Sequence, residues 1–298
     1  MKELSEATVV AEIGCNHKGS FEIAREMISV AKVFCEVNVV KFQKRNPREL
    51  LTEEEYNAPH PEPHQSYGRT YGEHREFLEF TVDQHGELKR LCEQAGLIYS
   101  TSVWDLTSAR EIVSLHPTMI KVPSACNLQF DLLSYLADEF PGDIHLSLGM
   151  TTRQEEEGIV RFFEGKRRLA DVVLYACTSG YPVRFEDVSL LEIRRLRETY
   201  GERVRDIGYS GHHMGIALDP VAYSLGANFI ERHFTLDRTW KGTDHAASLE
   251  PGGLRKVVRN LKAVREALRH KAKETLEVEA RQRKKLKRAT ASAPRSAG

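Results

Sequence analysis

Two lysines stand inside runs that are otherwise apolar: Lys41 in Val39-Val40-Lys41-Phe42 and Lys121 in Met119-Ile120-Lys121-Val122. Lysine almost never goes fully buried without a partner. Each therefore marks a point where a carboxylate or an anionic ligand must come close. Hydroxyls end several similar runs, at Thr101, Ser124, Ser147, Ser179 and Ser210. Two cations and several hydroxyls converging on one cavity suit a phosphate or a carboxylate. The competing reading pairs each lysine with a nearby carboxylate such as Glu12 or Glu231. His212 and His233 end two successive runs, and neutral imidazoles there could share a divalent metal. His213 rivals His212, because only one of two consecutive strand residues faces a given side.

These residues need elements to carry them. The sequence predicts strands near 8–13, 37–42, 97–101, 119–123, 144–148, 172–177, 207–210 and 228–234. Helical spacing intervenes: a helix capped by Ser20, then stretches near 88–95, 107–114, 128–136, 152–163, 190–200, 219–225 and 254–268. Continuous apolar strands alternating with helices argue for a parallel sheet covered on both faces. Eight such units in a chain of 298 residues predict a (β/α)8 TIM barrel. No G-x-G-x-x-G follows the first strand, which weakens a dinucleotide-binding fold. In a barrel, chemistry gathers at the C-terminal strand ends, where the residues above all fall.

Two regions lie outside the repeat. Residues 44–83 form a long insert after the second strand, expected on the active-site face as a binding loop. The barrel domain is expected to span 1–270. The tail, 271–298, contains the basic run Arg281–Arg288 and then small polar residues, and its composition predicts disorder. Lys plus Arg and Asp plus Glu both total 43, so nothing global favours nucleic acid or a membrane as partner. No apolar run approaches a membrane span, and the first residues do not resemble a signal peptide. Five cysteines without CxxC spacing suit free thiols in a reducing compartment, so a cytoplasmic location is expected.

The same segments, in order from about residue 8 to 268, resemble the sialic acid synthase family. Ala11-Glu12-Ile13-Gly14-Cys15-Asn16-His17 resembles its opening segment, and Val40-Lys41-Phe42-Gln43 its second strand. Tyr67-Gly68-Arg69-Thr70-Tyr71-Gly72-Glu73-His74-Arg75 is similar to the insert of many members. Ile120–Ser124, Leu146–Met150 and Cys177–Pro182 resemble the next three strand ends. Tyr209-Ser210-Gly211-His212 and Glu231-Arg232-His233-Phe234-Thr235 resemble the two metal-histidine strands, and Thr243–Pro251 the final loop. The resemblance implies condensation of phosphoenolpyruvate with an aldose, N-acetylmannosamine or a related 2-acetamido sugar, to a nonulosonic acid and phosphate. It implies Mn2+ or Mg2+ on His212 and His233, polarising the aldehyde. Lys41 and Lys121, with Thr101, Ser124, Ser147, Ser179 and Ser210, would hold phosphoenolpyruvate. Gln43, Tyr181 and Asp244 would position the sugar, and Glu12 would orient a metal-bound water.

Three departures from the family pattern stand out. Full-length members carry an antifreeze-like domain after the barrel, and nothing after Leu268 reads as one. Ser124-Ala125-Cys126-Asn127 stands where relatives place Gly and an acidic residue after the serine, leaving Cys126 as a buried structural thiol or a stand-in for that acid. Ser179 and Gly211 stand where relatives often have Asn and Asp, changes expected to widen or repolarise the mouth. Two alternatives stay open: a related synthase acting on another, phosphorylated aldose, with Lys44, Arg45, Arg69 and Arg75 as the residues to examine, and a non-catalytic barrel that kept the pocket. A barrel-to-barrel homodimer is the oligomer considered.

Overall fold

Eight strands pair in sequence order, each parallel to the next, and the last closes on the first. They are β1 (Thr8–Gly14), β2 (Val39–Lys44), β3 (Ile98–Val103), β4 (Met119–Val122), β5 (Asp143–Ser147), β6 (Val172–Cys177), β7 (Asp206–Gly211) and β8 (Phe229–His233). The structure is a computed structural model and describes residues 5–288. The expected eight-stranded barrel is thus observed, with helices Phe21–Val33, Val82–Gln94, Leu106–Val113, Phe130–Glu139, Arg153–Gly165, Leu191–Tyr200, Asp219–Ser224 and Pro251–Ala267 around it.

Each helix forms because one apolar stripe meets the barrel wall and because its ends are satisfied. The first buries Ala24, Met27, Ile28 and Ala31, and Ser20 caps it by accepting from the Ile23 amide. Thr152 and Glu155 form a reciprocal capping box on the helix that buries Ile159, Val160 and Phe163. The helix expected from residue 88 begins earlier, at Val82, behind a capping box of Thr81 and Gln84. Its first turn is polar in sequence, and the cap rather than apolar spacing starts it.

The main core lies between strands and helices. Inside the barrel, Val10, Val39 and Met119 pack with Phe229 near the N-terminal strand ends. They plug the barrel below a charged layer. The register builds that layer: Glu12 pairs with Lys41 on one side and His233 on the other, Ser102 with Lys121, and Ser210 with Glu231. Residues in register on parallel strands share a face, so these side chains point the same way.

The insert is partly helical, with short helices at Pro47–Leu50, Glu53–Asn57 and Tyr71–Phe77. It reaches the loop after β8: the Gly242 amide donates to Gln65 Oε1 at 2.6 Å, and the Tyr67 hydroxyl donates to the Lys241 carbonyl. The stretch from 271, left without structure by composition, contains a helix, Glu277–Leu286, with no buried residue. Residues 289–298, the last part of the expected tail, lie outside the described residues. Among the described residues no helix is long and apolar enough to cross a membrane.

Candidate active site

A cavity of about 490 Å3 opens at the C-terminal ends of the strands, roofed on one side by the insert. Of the residues expected to form the site, Glu12, Lys41, Gln43, Lys121, Ser124, Ser147, Ser179, Tyr181, Ser210, His212, His233 and Asp244 all line it. Thr101 does not. Its hydroxyl donates to the Tyr99 phenol at 2.7 Å, in the wall behind the strand, and Ser102 takes the cavity position instead. The reason is parity: Lys41 pairs with Ser100, so Ser100 and Ser102 face inward with it and Thr101 faces outward.

At the floor, both lysines are paired with carboxylates, as the competing reading of the sequence held. Lys41 ion-pairs with Glu12 and lies 3.7 Å from Glu231, while Lys121 reaches Glu231 at 2.9 Å. Lys41 also donates to Ser102 Oγ at 2.7 Å, and Ser210 donates to Glu231 at 3.1 Å. The Lys121 ammonium sits 3.7 Å from the centroid of the Tyr175 ring. Burial pushes the Glu12 carboxyl up, against the pull of Lys41. Burial acts the same way on Glu231, but there Lys121 and Lys41 outweigh it and hold the carboxyl well below its usual range. Burial lowers Lys121, whereas for Lys41 the two carboxylates overcome burial and raise it. The cluster pairs two lysines with two carboxylates and is buried, so an arriving anion meets lysines already oriented.

The two histidines meet above this floor, ring centroids 5.3 Å apart. His213 faces the other way, bonded to Tyr209 and to Arg232, which itself closes on Asp219 at 2.7 Å. That settles the choice between His212 and His213. Burial lowers His233 to about 4 despite Asp244 Oδ2 at 3.8 Å, so the ring is neutral at neutral pH. Its Nδ1 is buried with no hydrogen-bond partner. His212 Nδ1 donates to the Thr178 carbonyl at 2.9 Å, the outer hydrogen bond that commonly orients a metal-bound imidazole. These features fit a two-histidine metal site whose remaining ligands are water or substrate. Among the described residues no group of three or more His, Cys, Asp or Glu side chains is arranged to hold an ion.

Around the rim, Gln43 donates to Glu12 at 3.1 Å, and the half-exposed Tyr181 ring lies 4.4 Å from His212 and 5.7 Å from His233 by centroid. Ser124 accepts from the Gly149 amide at 3.1 Å and approaches Cys177 Sγ at 3.7 Å. Burial would raise the Cys177 thiol, but its interaction with the nearby His212 lowers it, and raises the imidazole in return. Cys126 is the structural thiol of the two readings: its Sγ bonds the Trp104 carbonyl at 3.2 Å, burial pushes it up to about 12, and it does not line the cavity. Gly211 does not widen the mouth as expected. It faces the outer wall, and a Cβ there would come within 2.7 Å of the Tyr209 ring.

Cavity-lining residues to which the sequence reading gave no role are Ser102, Cys177, His60 and His74, while Arg45 and Arg75 were named only under the phosphorylated-aldose alternative. Glu231 was legible as a partner for a lysine. The insert residues carried no periodic signal that could assign them a face.

Comparisons with known proteins agree with the barrel fold. The NeuB family matches residues 27–273. Human N-acetylneuraminate-9-phosphate synthase is 36% identical over 271 residues, covering 91% of this chain and 74% of that protein. The N,N'-diacetyllegionaminic acid synthase of Campylobacter jejuni is 28% identical over 266 residues, covering 89% of this chain and 78% of that protein. Among solved structures, the N-acetylneuraminic acid synthetase of Leptospira borgpetersenii, in complex with citrate, superposes with a TM-score of 0.79 at 27% identity, covering 96% of this chain and 94% of that one. The match over residues 27–273 and these relatives show that the chain belongs to the NeuB family of phosphoenolpyruvate-dependent, C–C bond-forming transferases.

Proposed function

We propose that the chain condenses phosphoenolpyruvate with a 2-acetamido aldose, N-acetylmannosamine or a close relative, to give a nonulosonic acid and inorganic phosphate. The observation that carries this reading is the floor of the barrel mouth, where Lys41 and Lys121 are held by Glu12 and Glu231 directly beneath His212 and His233. In the reaction, C3 of phosphoenolpyruvate forms a bond to the aldehyde carbon, whose oxygen takes up a proton. Water adds at C2, and phosphate leaves with cleavage of the C2–O bond, so one water is consumed for each phosphate released.

The chain's own residues supply binding and orientation. Lys41 and Lys121 take the carboxylate and phosphate of phosphoenolpyruvate, aided by Ser102, Ser124, Ser147, Ser179 and Ser210. Ser102 stands here in place of Thr101. Gln43, Tyr181 and Asp244 hold the sugar. Glu12, raised by burial, is suited to orient a water and to accept a proton from it. His212 and His233 would hold Mn2+ or Mg2+, which supplies Lewis-acid polarisation of the aldehyde oxygen when bound.

Phosphate release from phosphoenolpyruvate, with Mn2+ present and across a panel of aldoses, tests the proposal. Release that depends on a 2-acetamido sugar supports it. Tight phosphoenolpyruvate binding without release for any aldose would instead favour a barrel that only binds.

A further inference from the structure

Lys41 and Lys121 share the floor of the site but rest on different supports. Lys41 lies between two carboxylates and donates to Ser102. Lys121 has one carboxylate, Glu231, whose two oxygens accept from it at 3.1 and 2.9 Å. Its ammonium also meets the face of the Tyr175 ring, 3.7 Å from the centroid. Tyr175 is fully buried, and neither it nor its partner His145 lines the cavity. Whatever this ring does for the substrate, it does through the lysine.

The barrel is built to hold the ring there. Lys121 pairs in register with His145 on β5, and Ser147 with Tyr175 on β6. Gly208 on β7 pairs with both Tyr175 and Phe229. Residues in register share a face, so all of these point inward. Gly208 leaves the room that the ring occupies, since a Cβ there would come within 2.6 Å of it. The Tyr175 hydroxyl shares a hydrogen bond with His145 Nδ1 at 2.8 Å. The His145 ring in turn stands edge-on to Phe229, with centroids 4.9 Å apart. Burial holds His145 down to about 3, so the group that fixes Tyr175 is neutral and does not repel the lysine.

A buried ammonium needs a partner for its charge. Another carboxylate at this place would also repel an arriving anion. The face of an aromatic ring is negative but carries no formal charge, so it steadies the ammonium without opposing the substrate. We propose that Tyr175 is a positioning residue: its ring, fixed by His145 and admitted by Gly208, holds the Lys121 ammonium in place for an anionic group of phosphoenolpyruvate. This rests on the synthase reading above and adds a residue that acts from behind the site.

The test measures phosphoenolpyruvate binding by calorimetry, and steady-state kinetics, on the full chain with Mn2+. Tyr175→Leu, with Tyr175→Met as a second apolar replacement, removes the ring face. Tyr175→Phe keeps it and loses only the bond to His145. The apolar variants should raise Kd and KM for phosphoenolpyruvate about tenfold, the scale of a desolvated cation–π contact, with KM for the sugar nearly unchanged. Tyr175→Phe should return the affinity to within about twofold of the wild type while lowering the urea midpoint. In a Lys121→Met background, Tyr175→Leu should add no further loss, because it acts through the lysine. Unchanged phosphoenolpyruvate affinity in the folded apolar variants would overturn the inference. So would a loss that Tyr175→Phe does not rescue, one shared equally by the sugar, or one that persists without Lys121. If Lys121→Met weakens phosphoenolpyruvate and the Tyr175 variants do not, the inference alone fails. If no aldose gives phosphate release, yet binding depends on Lys121 and on the ring, the synthase reading falls and the positioning role stands.

Discussion

At the residue scale, the floor of the site is an exchange of buried charges. Glu231 accepts from Lys121, leans toward Lys41 and takes a bond from Ser210. Breaking such a pair from one side leaves a buried charge uncompensated, at a cost of about 3 kcal/mol. Lys121→Met should therefore lose about that much stability in urea unfolding and also raise KM for phosphoenolpyruvate, while adding Glu231→Leu should recover most of the stability and none of the activity. A stable single variant with unchanged KM would count against both roles. His233→Ala should abolish metal-dependent phosphate release while the circular dichroism spectrum and melting transition stay near those of the wild type. Retained activity would remove His233 from the metal site. Ser102→Ala should weaken phosphoenolpyruvate, whereas Thr101→Val should cost only stability, because its hydroxyl serves Tyr99.

At the element scale, the strands set positions and the loops set the roof. The insert is tied to the loop after β8 by Gln65 and Tyr67, and that loop carries Asp244 at the cavity edge. Weakening the tie frees the Asp244 loop rather than the floor. Gln65→Ala should therefore raise KM for the sugar several-fold and leave KM for phosphoenolpyruvate nearly unchanged, a split that steady-state kinetics resolves. Helix ends make a quieter contribution. Thr152→Ala removes one half of the capping box with Glu155 and should cost about 1 kcal/mol by urea denaturation with no effect on kcat.

For the whole molecule, the buried histidines couple stability to pH. Burial is the largest cause holding His17, His85 and His145 down to about 3. In the unfolded chain such groups take up protons below about pH 6.5. Between those values the unfolded chain binds more protons than the native one, so stability rises with pH through that window. It is fully present above about 6.5 and is lost progressively as pH falls toward 3. Each histidine contributes up to about 1.4 kcal/mol per pH unit inside the window. Urea midpoints should fall from pH 7 to pH 5, and His85→Gln should show a shallower slope. A flat wild-type profile over that range would contradict the picture.

Much of this was present in the sequence because it is local. Strand periodicity, helix spacing and the alternation of the two are properties of neighbouring residues, and they pointed to the closed barrel, the strand ends and the candidates Glu12, Lys41, Lys121, His233 and either His212 or His213, whereas Asp244, in the loop after β8, came only from the family resemblance. The face assigned to a strand residue is less local. Thr101 and Ser102 are both hydroxylic and adjacent, and only the pairing of Lys41 with Ser100 decides which of them points inward. The same holds for Gly211, whose open space belongs to Tyr209 in the outer wall. Ion pairs that join distant strands, such as Lys121 with Glu231, 110 residues apart, come into being only when the barrel closes. The insert was expected on the active-site face, but lacking periodicity it revealed neither its helices nor which of its side chains, among them Arg75, His60 and His74, line the cavity. Local chemistry settles what an element is; which charges meet across the mouth is settled by closure, because the partners are far apart in the chain.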